Sequence, residues 1–274
     1  MIYDETKCWL GEGPLWHPNR GELFWFDILK KRLHIKGRHW QFSRYASAAG
    51  WIDDDRLLMA DSVGLHILDL ADSTTDQVAE IEADNPITRS NDGRADPWGG
   101  FWIGTMGINA EAKAGAIYRY YRGEVRKLFA DITISNAICF APDGSFAYFC
   151  DTQVGKIMRQ TLADKDGWPE GDPTVWIDFG DTSWGSDGAV VDSAGRFWNA
   201  HWGANRVACY NEDGTLAKTV AFPGVQTSCP AFGGADLKTL FCTSAQDGLI
   251  GEDDGKTFCT PVEAIGQAEH QVIL

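Results

Sequence analysis

Apolar residues along this chain occur in short alternating runs bounded by Gly, Asp, Asn and Pro. Runs of this kind are typical of β-strands that bury one face. No segment keeps a helical apolar period over three turns, so the pattern predicts an all-β protein. One run in each part of the chain follows a turn resembling Gly-x-Leu or Gly-x-Phe. The anchor residues of these runs are Leu23, Leu57, Phe101, Phe146, Phe197 and Leu240.

The anchor residues recur at a nearly constant interval. Successive anchors are separated by 34, 44, 45, 51 and 43 positions. Each anchor run is followed by a second alternating run, such as Ile157 to Arg159, and then by a third, such as Val125 to Phe129. Spacings of roughly 40–45 residues with four short strands are typical of propeller blades. We therefore predict a single domain, residues 1–274, that forms a six-bladed β-propeller with four-stranded antiparallel blades.

Small polar or acidic residues fall at one position in four of these repeats. Asn91, Asn136 and Asp187 each lie 10 residues before the Phe anchor of their repeat. Glu12 lies 11 residues before Leu23, and a longer turn absorbs the extra position. Because the innermost strand of a blade lines the central channel, these four side chains are expected to share one region of the axis.

The donor atoms of this set suit a cation. Glu12, Asn136 and Asp187 offer two carboxylates and one amide oxygen, which suits Ca²⁺, Mg²⁺ or Mn²⁺. Zn²⁺ also binds carboxylates, so the ligand types leave the metal open. Asn and Asp often close turns instead, but their alignment within the repeat favours a site. We predict one divalent metal ion on the central axis, since burying Glu12 among apolar neighbours without a cation is costly.

Composition narrows the range of partners. The chain has 274 residues, 44% of them hydrophobic, with 12 Trp and 14 Phe, which is enough to fill the spaces between blades. Trp184 and Trp202 lie in strand-end loops beside the predicted site and are expected to line a pocket. The net charge of −15 argues against nucleic acid and anionic membranes as partners. It also disfavours a phosphorylated substrate.

The cellular location is predicted from the N-terminus and the cysteines. Met1 to Leu10 shows neither a basic region nor an apolar region of a signal peptide, and no apolar run reaches membrane-spanning length. The seven cysteines lack a CxxC spacing and fall largely within strand patterns. We expect buried thiols in a reducing compartment, and hence a cytoplasmic protein. A monomer or a weak homo-oligomer is expected.

Several short motifs occur in order along the chain. They are Leu10-Gly11-Glu12-Gly13-Pro14-Leu15-Trp16, Arg89-Ser90-Asn91-Asp92-Gly93, Gly104-Thr105-Met106, Ser135-Asn136 with Pro142-Asp143-Gly144, Asp187-Gly188 and Thr243-Ser244-Ala245. Together they resemble one family, that of regucalcin, gluconolactonase and the senescence-marker protein. The resemblance runs from about residue 8 to Ala245. Each motif alone is weak, whereas their order and spacing together are specific. The resemblance implies a six-bladed propeller that hydrolyses a small-molecule sugar lactone at one divalent metal.

The resemblance also implies roles for individual residues. Glu12, Asn136 and Asp187 would be the metal ligands, and Arg89 and Asn91 would bind the sugar. Many members carry an acidic residue shortly after Gly-Thr-Met, where this chain has Gly107-Ile108-Asn109. Asn109 is therefore expected to take the substrate-binding role with a neutral amide, which leaves the preferred sugar open.

A mechanism follows from these roles. The metal would polarise the lactone carbonyl, and Asp187 would act as the catalytic general base toward water. Two other interpretations stay open on the sequence: an organophosphate or aryl-ester hydrolase of the same propeller type, and a non-catalytic calcium-binding propeller.

A further set of residues ends the second strands and is interpreted mainly as turn and cap residues. These are Asp27, Asp61, Thr105, Asp151, His201 and Ser244.

Overall fold

The computed structural model describes residues 1–274 and is built of strands and turns, with no α-helix. The first twelve strands are β1 (Ile2–Asp4), β2 (Gly11–His17), β3 (Glu22–Asp27), β4 (Arg32–Ile35), β5 (Arg38–Gln41), β6 (Ala46–Trp51), β7 (Arg56–Asp61), β8 (Gly64–Asp69), β9 (Thr75–Glu80), β10 (Thr88–Ala95), β11 (Phe101–Gly107) and β12 (Gly115–Tyr121). The remaining strands are β13 (Glu124–Ile132), β14 (Ser135–Phe140), β15 (Phe146–Asp151), β16 (Lys156–Thr161), β17 (Thr174–Asp178), β18 (Gly185–Val191), β19 (Phe197–Trp202), β20 (Arg206–Tyr210), β21 (Leu216–Ala221), β22 (Gln226–Gly233), β23 (Thr239–Ala245) and β24 (Thr257–Pro261). The all-β prediction is confirmed, and no helix in the structure has the length and apolarity to cross a bilayer.

Sixteen of the strands form four separate antiparallel sheets, β2–β5, β6–β9, β10–β13 and β14–β17. The other eight strands form one hydrogen-bonded sheet, and this differs from the predicted six separate blades. Within it, β18 to β21 pair in order, as do β22, β23, β24 and β1. The two halves join at one point, because Trp202 at the end of β19 pairs with Gln226 at the start of β22.

The first strand of each four-strand group packs against the first strand of the next. These strands are β2, β6, β10, β14, β18 and β22, and β22 returns to pack against β2, so the arrangement is a closed, propeller-like ring. The anchor residues predicted from the sequence all lie in the second strands of their groups. Apolar side chains fill the space between neighbouring sheets, as Leu58, Phe101 and Ile103 do between β7 and β11.

A β-bulge recurs near the start of every inner strand. The pairing gains one residue between Glu12 and Leu15 and again between Asn136 and Cys139. The other four inner strands carry the same irregularity. A bulge bends the strand and re-aims the side chain beside it. Each inner strand therefore turns one side chain at this level away from the normal alternation.

Residues 264–274 form a segment that we call the strap. It crosses the ends of the inner strands that lie farthest from the bulges. Ser193 donates to the carbonyl of Ile265, and Val272 donates to that of Trp51 at the end of β6. Val272 is buried in the core, and Glu269 forms an ion pair with Arg94 of β10. The strap thus connects sheets that are distant in sequence.

Candidate active site

A cavity of about 720 Å³ lies where the inner strands begin. It is lined by Glu12, Arg89, Asn91, Asn136 and Asp187, five of the six residues predicted for the site. These side chains come from β2, β10, β14 and β18, and each lies within the first few residues of its strand. The predicted pocket residues Trp184 and Trp202 also line it. Structure and repeat alignment thus agree on which residues share this region.

The local backbone at the bulges holds the inward side chains. Gly13, directly after Glu12, has φ +52°, and a Cβ there would come within 2.2 Å of the Ser47 carbonyl oxygen. Only glycine fits both that conformation and that space. Ala137, directly after Asn136, has φ 60°, a strained conformation for a residue with a side chain. The peptide carbonyls of Asp187 and Gly188 accept hydrogen bonds from the Asn199 amide at 2.8 and 3.1 Å.

Two buried carboxylates face the cavity, those of Glu12 and Asp187. Burial and the Asp92 carboxylate raise the pKa of Glu12 to about 8, while Gly13 N–H and Arg89 oppose this shift. Burial and the charges of Glu12 and Asp92 raise the pKa of Asp187 well above its ordinary value. The only side-chain hydrogen bond of the Glu12 carboxylate is from Gly13 N–H at 3.1 Å. The charge of Arg89 therefore does not offset burial and mutual repulsion at the two carboxylates.

Arg89 is the one Lys or Arg that lines the cavity, and its charge lowers the pKa of both carboxylates. It is buried, which lowers its pKa to about 10, while Glu12 and Asp187 act in the opposite direction. Its Nη1 donates to the carbonyl of Ser90 and to Oδ1 of Asn91, both at 2.8 Å. These bonds hold the guanidinium along β10.

Hydrogen bonds continue from Asn91 across two more strands. Asn91 Nδ2 donates to Asn136 Oδ1 at 3.2 Å and to the Ser135 carbonyl at 2.8 Å. Asn136 Nδ2 donates to Thr152 Oγ1 at 2.9 Å, and Thr152 donates to the Ser186 carbonyl at 2.7 Å. Asn136 therefore has a defined amide orientation, with its oxygen beside Asn91.

The donors fit a hard divalent cation in type. Glu12, Asn136 and Asp187 bring only oxygen atoms to the cavity, and the two carboxylates have few internal hydrogen bonds. No cluster of three or more His, Cys, Asp or Glu side chains with metal-binding geometry occurs in the structure. The candidate set contains two such residues and completes its oxygens with an amide, as calcium sites commonly do.

Asn109 does not line the cavity. It is exposed beyond the end of β11, and its Nδ2 donates to Glu111 Oε1 at 3.0 Å. Its backbone N–H donates to the other oxygen of the same carboxylate, Oε2, at 3.0 Å. Sequence reasoning sought an acidic residue just after Met106 and passed over Glu111, which lies five positions after it.

The family of the chain is shown by its sequence. A sequence profile described as the SMP-30/Gluconolactonase/LRE-like region matches residues 10–246. The chain belongs to this family. An L-arabinolactonase of Azospirillum brasilense is 35% identical over 89% of this chain and 84% of its own length. A 6-deoxy-6-sulfogluconolactonase of Pseudomonas putida is 33% identical over 95% of this chain and 94% of its own length.

A solved structure supports the same family assignment. A calcium-binding protein, regucalcin, from Agrobacterium tumefaciens str. C58 superposes with a TM-score of 0.97 at 41% identity. The match covers 100% of this chain and 97% of that one. The two chains thus share one fold over nearly their whole lengths.

One rim of the cavity is a stacked pair of rings. The rings of Trp184 and His201 lie 3.6 Å apart at an interplanar angle of 7°. Burial lowers the pKa of His201 to about 3, so its imidazole is neutral at physiological pH. Arg206 Nε donates to its Nδ1 at 3.0 Å, so Nε2 carries the proton and donates to the Tyr210 hydroxyl at 3.1 Å. His201 therefore supports the cavity-lining Trp184 and does more than cap a strand.

Asp27 and Asp151 act as the predicted caps. Asp27 accepts hydrogen bonds from the backbone N–H groups of Trp9 and Leu10. Asp151 accepts from those of Thr133 and Ile134. Each carboxylate thereby fixes the segment that enters the inner strand bearing Glu12 or Asn136.

Two residues near the site were missed by sequence reasoning. Asp92 is buried and accepts a 2.7 Å hydrogen bond from the N–H of Ile138, which lies within the bulge between Asn136 and Cys139. Burial raises its pKa to about 6. Thr152 lies in the turn after β15, and from the sequence alone it is indistinguishable from an ordinary turn residue. Both act across strand boundaries, and no local motif identifies such contacts.

Proposed function

We propose that this protein hydrolyses a sugar (aldono) lactone to the aldonic acid in the cavity at the head of the inner strands. The observation that carries the proposal is the convergence of Glu12, Arg89, Asn91, Asn136 and Asp187 on one cavity. The cavity is large enough for a pentono- or hexonolactone. Relatives named for lactonase activity, at 33% and 35% identity, support the reaction type.

Glu12, Asn136 and Asp187 would hold one divalent cation, Ca²⁺, Zn²⁺, Mn²⁺ or Mg²⁺. The support is the pair of buried carboxylates whose pKa values burial and mutual repulsion raise despite the nearby charge of Arg89. The calcium-binding regucalcin that shares this fold supports a divalent ion as well. When bound, such an ion supplies Lewis-acid polarisation of the lactone carbonyl and charge stabilisation of the developing oxyanion.

The chain's own groups would then move protons and orient the sugar. The Asp187 carboxylate would take a proton from the attacking water as that water adds to the lactone carbonyl carbon. Cleavage of the bond between this carbon and the ring oxygen would follow, and the proton would pass to the ring oxygen to give a hydroxyl. Arg89 and Asn91 would orient the substrate, and Asn109 would have to reach it by movement of its loop.

We also propose that residues 1–274 form a single six-bladed domain with the metal site at its centre. The support is the closed ring of inner strands and the pairing within the eight-stranded sheet. In that sheet β18–β21 would be one blade and β22–β24 with β1 another. The single Trp202–Gln226 pairing would then be a contact between blades.

The test is an acid-release assay on a panel of neutral aldonolactones, run with chelator and then with each of the four metals. Hydrolysis that chelator abolishes and one metal restores is the expected result. If lactones are inert while a phosphotriester or aryl ester turns over, the reaction type is wrong. If none reacts while metal raises the melting temperature, the protein binds the ion without catalysis.

A further inference from the structure

We propose that Thr152 is a positioning residue that sets which atom of the Asn136 amide faces the metal position. The inference rests on the proposed role of Asn136 as a ligand. Asn136 can present either an oxygen or an NH₂ group to the cavity, and only the oxygen binds a cation. The orientation of one amide therefore decides whether the site has two or three protein ligands.

The ends of the hydrogen-bond chain determine its direction. At one end Arg89 can only donate, and at the other the Ser186 carbonyl can only accept. Thr152 has a single hydroxyl proton, which it gives to that carbonyl at 2.7 Å. Its oxygen must therefore accept from Asn136, so the amide nitrogen faces Thr152 at 2.9 Å.

The other neighbour of Asn136 requires the same orientation. Asn91 Oδ1 is occupied by Arg89 Nη1 at 2.8 Å, so Asn91 turns its Nδ2 toward Asn136. A reversed Asn136 amide would set two NH₂ groups against each other and two oxygen acceptors against one hydroxyl proton. Each conflict leaves a polar group without its partner in a mostly buried place.

Thr152 also connects two of the three candidate ligands. Its side chain contacts Asn136 of β14, and its proton goes to Ser186, the residue directly before Asp187 of β18. Groups that orient metal ligands in this way commonly contribute about 10- to 100-fold to metal affinity. A hydroxyl at this one position thus acts on the ligand oxygens of both strands.

The experiment measures Mn²⁺ binding by titration calorimetry for the wild-type protein, Thr152→Val and Thr152→Ser. Val keeps the shape without the hydroxyl, and we expect it to weaken Mn²⁺ binding about 10- to 100-fold. Ser keeps the hydroxyl and should stay within about threefold of wild type. Thr161→Val, an exposed strand-end control, should bind as wild type does. Wild-type affinity in a folded Thr152→Val protein overturns the proposal.

Repeating the Thr152→Val change in an Asn136→Asp protein distinguishes an effect on amide orientation from a general disturbance of the site. In Asn136→Asp the carboxylate has an oxygen on both sides, so Thr152→Val should then cost less than about threefold in affinity. If Thr152→Val weakens Mn²⁺ binding as much in the Asn136→Asp protein as in the wild-type protein, the proposal is also wrong. Melting in chelator reports folding of each variant, and Thr152→Ala replaces Val if Val does not fold. If wild type neither binds Mn²⁺ nor hydrolyses lactones, the proposed function itself fails; if it does both, only the role of Thr152 is at stake.

Discussion

The imidazole of His201 lies flat against the indole of Trp184, with ring centroids 3.6 Å apart. Because the imidazole is neutral and held by Arg206 and Tyr210, it forms a rigid support for the indole that lines the cavity. Aromatic faces of this kind pack well against the C–H surface of a sugar ring.

Removing that support should affect substrate binding more than the chemical step. We expect His201→Ala to raise KM for the preferred lactone about 3- to 10-fold with little change in kcat, since Trp184 loses a stacking partner worth about 0.5–1.5 kcal/mol. Steady-state kinetics measures both constants. The exposed His39→Ala serves as the control. An unchanged KM, or a fall confined to kcat, contradicts the expectation.

Asp187→Ala should abolish hydrolysis while the fold survives. Loss of a general base typically lowers the rate about 10²- to 10⁴-fold, and loss of a metal ligand adds to this. Activity is measured by acid release, and folding by circular dichroism. The exposed Asp164→Ala tests for a nonspecific charge effect. Near-normal turnover in Asp187→Ala would rule out its catalytic role.

The stability of the metal-free protein should fall as pH rises. The folded pKa of Glu12 is raised from about 4.5 to about 8, so between these values the folded state binds more protons than the unfolded state. Its contribution is therefore greatest below pH 4.5 and is lost as pH rises through about 8. Urea unfolding in chelator at several pH values measures this slope.

Glu12→Gln should flatten that slope, because glutamine does not titrate. Glu80→Gln, an exposed glutamate, should leave it unchanged. A slope that is identical in Glu12→Gln would show that other groups cause it.

The charge of the cavity should select neutral substrates. The lining contains Glu12, Asp187 and Asp247, and Arg89 is its only Lys or Arg. A bound divalent cation and Arg89 would offset the charges of Glu12 and Asp187, which leaves Asp247 to repel an anionic substrate. Because the lining offers no further Lys or Arg to pair with a phosphate, we expect kcat/KM for a neutral hexonolactone to exceed that for its 6-phosphate by at least about tenfold. Asp247→Asn should narrow the ratio. A ratio near one in the wild-type protein contradicts this prediction, whichever neutral lactone is best.

The ion pair between Arg94 and Glu269 should stabilise the strap. Both side chains are largely buried, so Glu269→Ala should lower the free energy of unfolding by about 3–5 kcal/mol by leaving Arg94 without a partner. Replacing both residues by Met should cost less than the single change, because neither member of the ion pair is then left without the other. Equal losses in the single and double variants would show that packing matters and charge does not.

Much of this architecture could be predicted from the repeat. The anchor residues, such as Phe101 and Phe146, lie in second strands, and the polar residues aligned upstream of them meet in one cavity. This works because strand period and blade spacing are local properties of the sequence. The bulge beside Asn136 could not be predicted in this way. One extra residue between two paired positions leaves the alternation of apolar residues almost unchanged, so the sequence pattern does not indicate it.

What could not be predicted depends on contacts between strands from different blades. Asp92 reaches Ile138, and Thr152 reaches Ser186, across sheet boundaries that spacing alone does not describe. The eight-stranded sheet arises from one backbone pairing, Trp202 with Gln226, at two strand tips. Asn109 was assigned by analogy, and its own neighbours, including Glu111, carry no periodic signal.

The pairing of β1 with β24 places Ile2 opposite Phe258, residues from the two extremes of the chain. β1 therefore completes its sheet only after β24 has been synthesised. The strand bearing Glu12 likewise lacks its neighbour until β22 has been synthesised, and until then the cavity has an open wall. Long-range pairings of this kind form slowly, so a nascent chain would form its separate sheets before β22 packs against β2 and closes the ring.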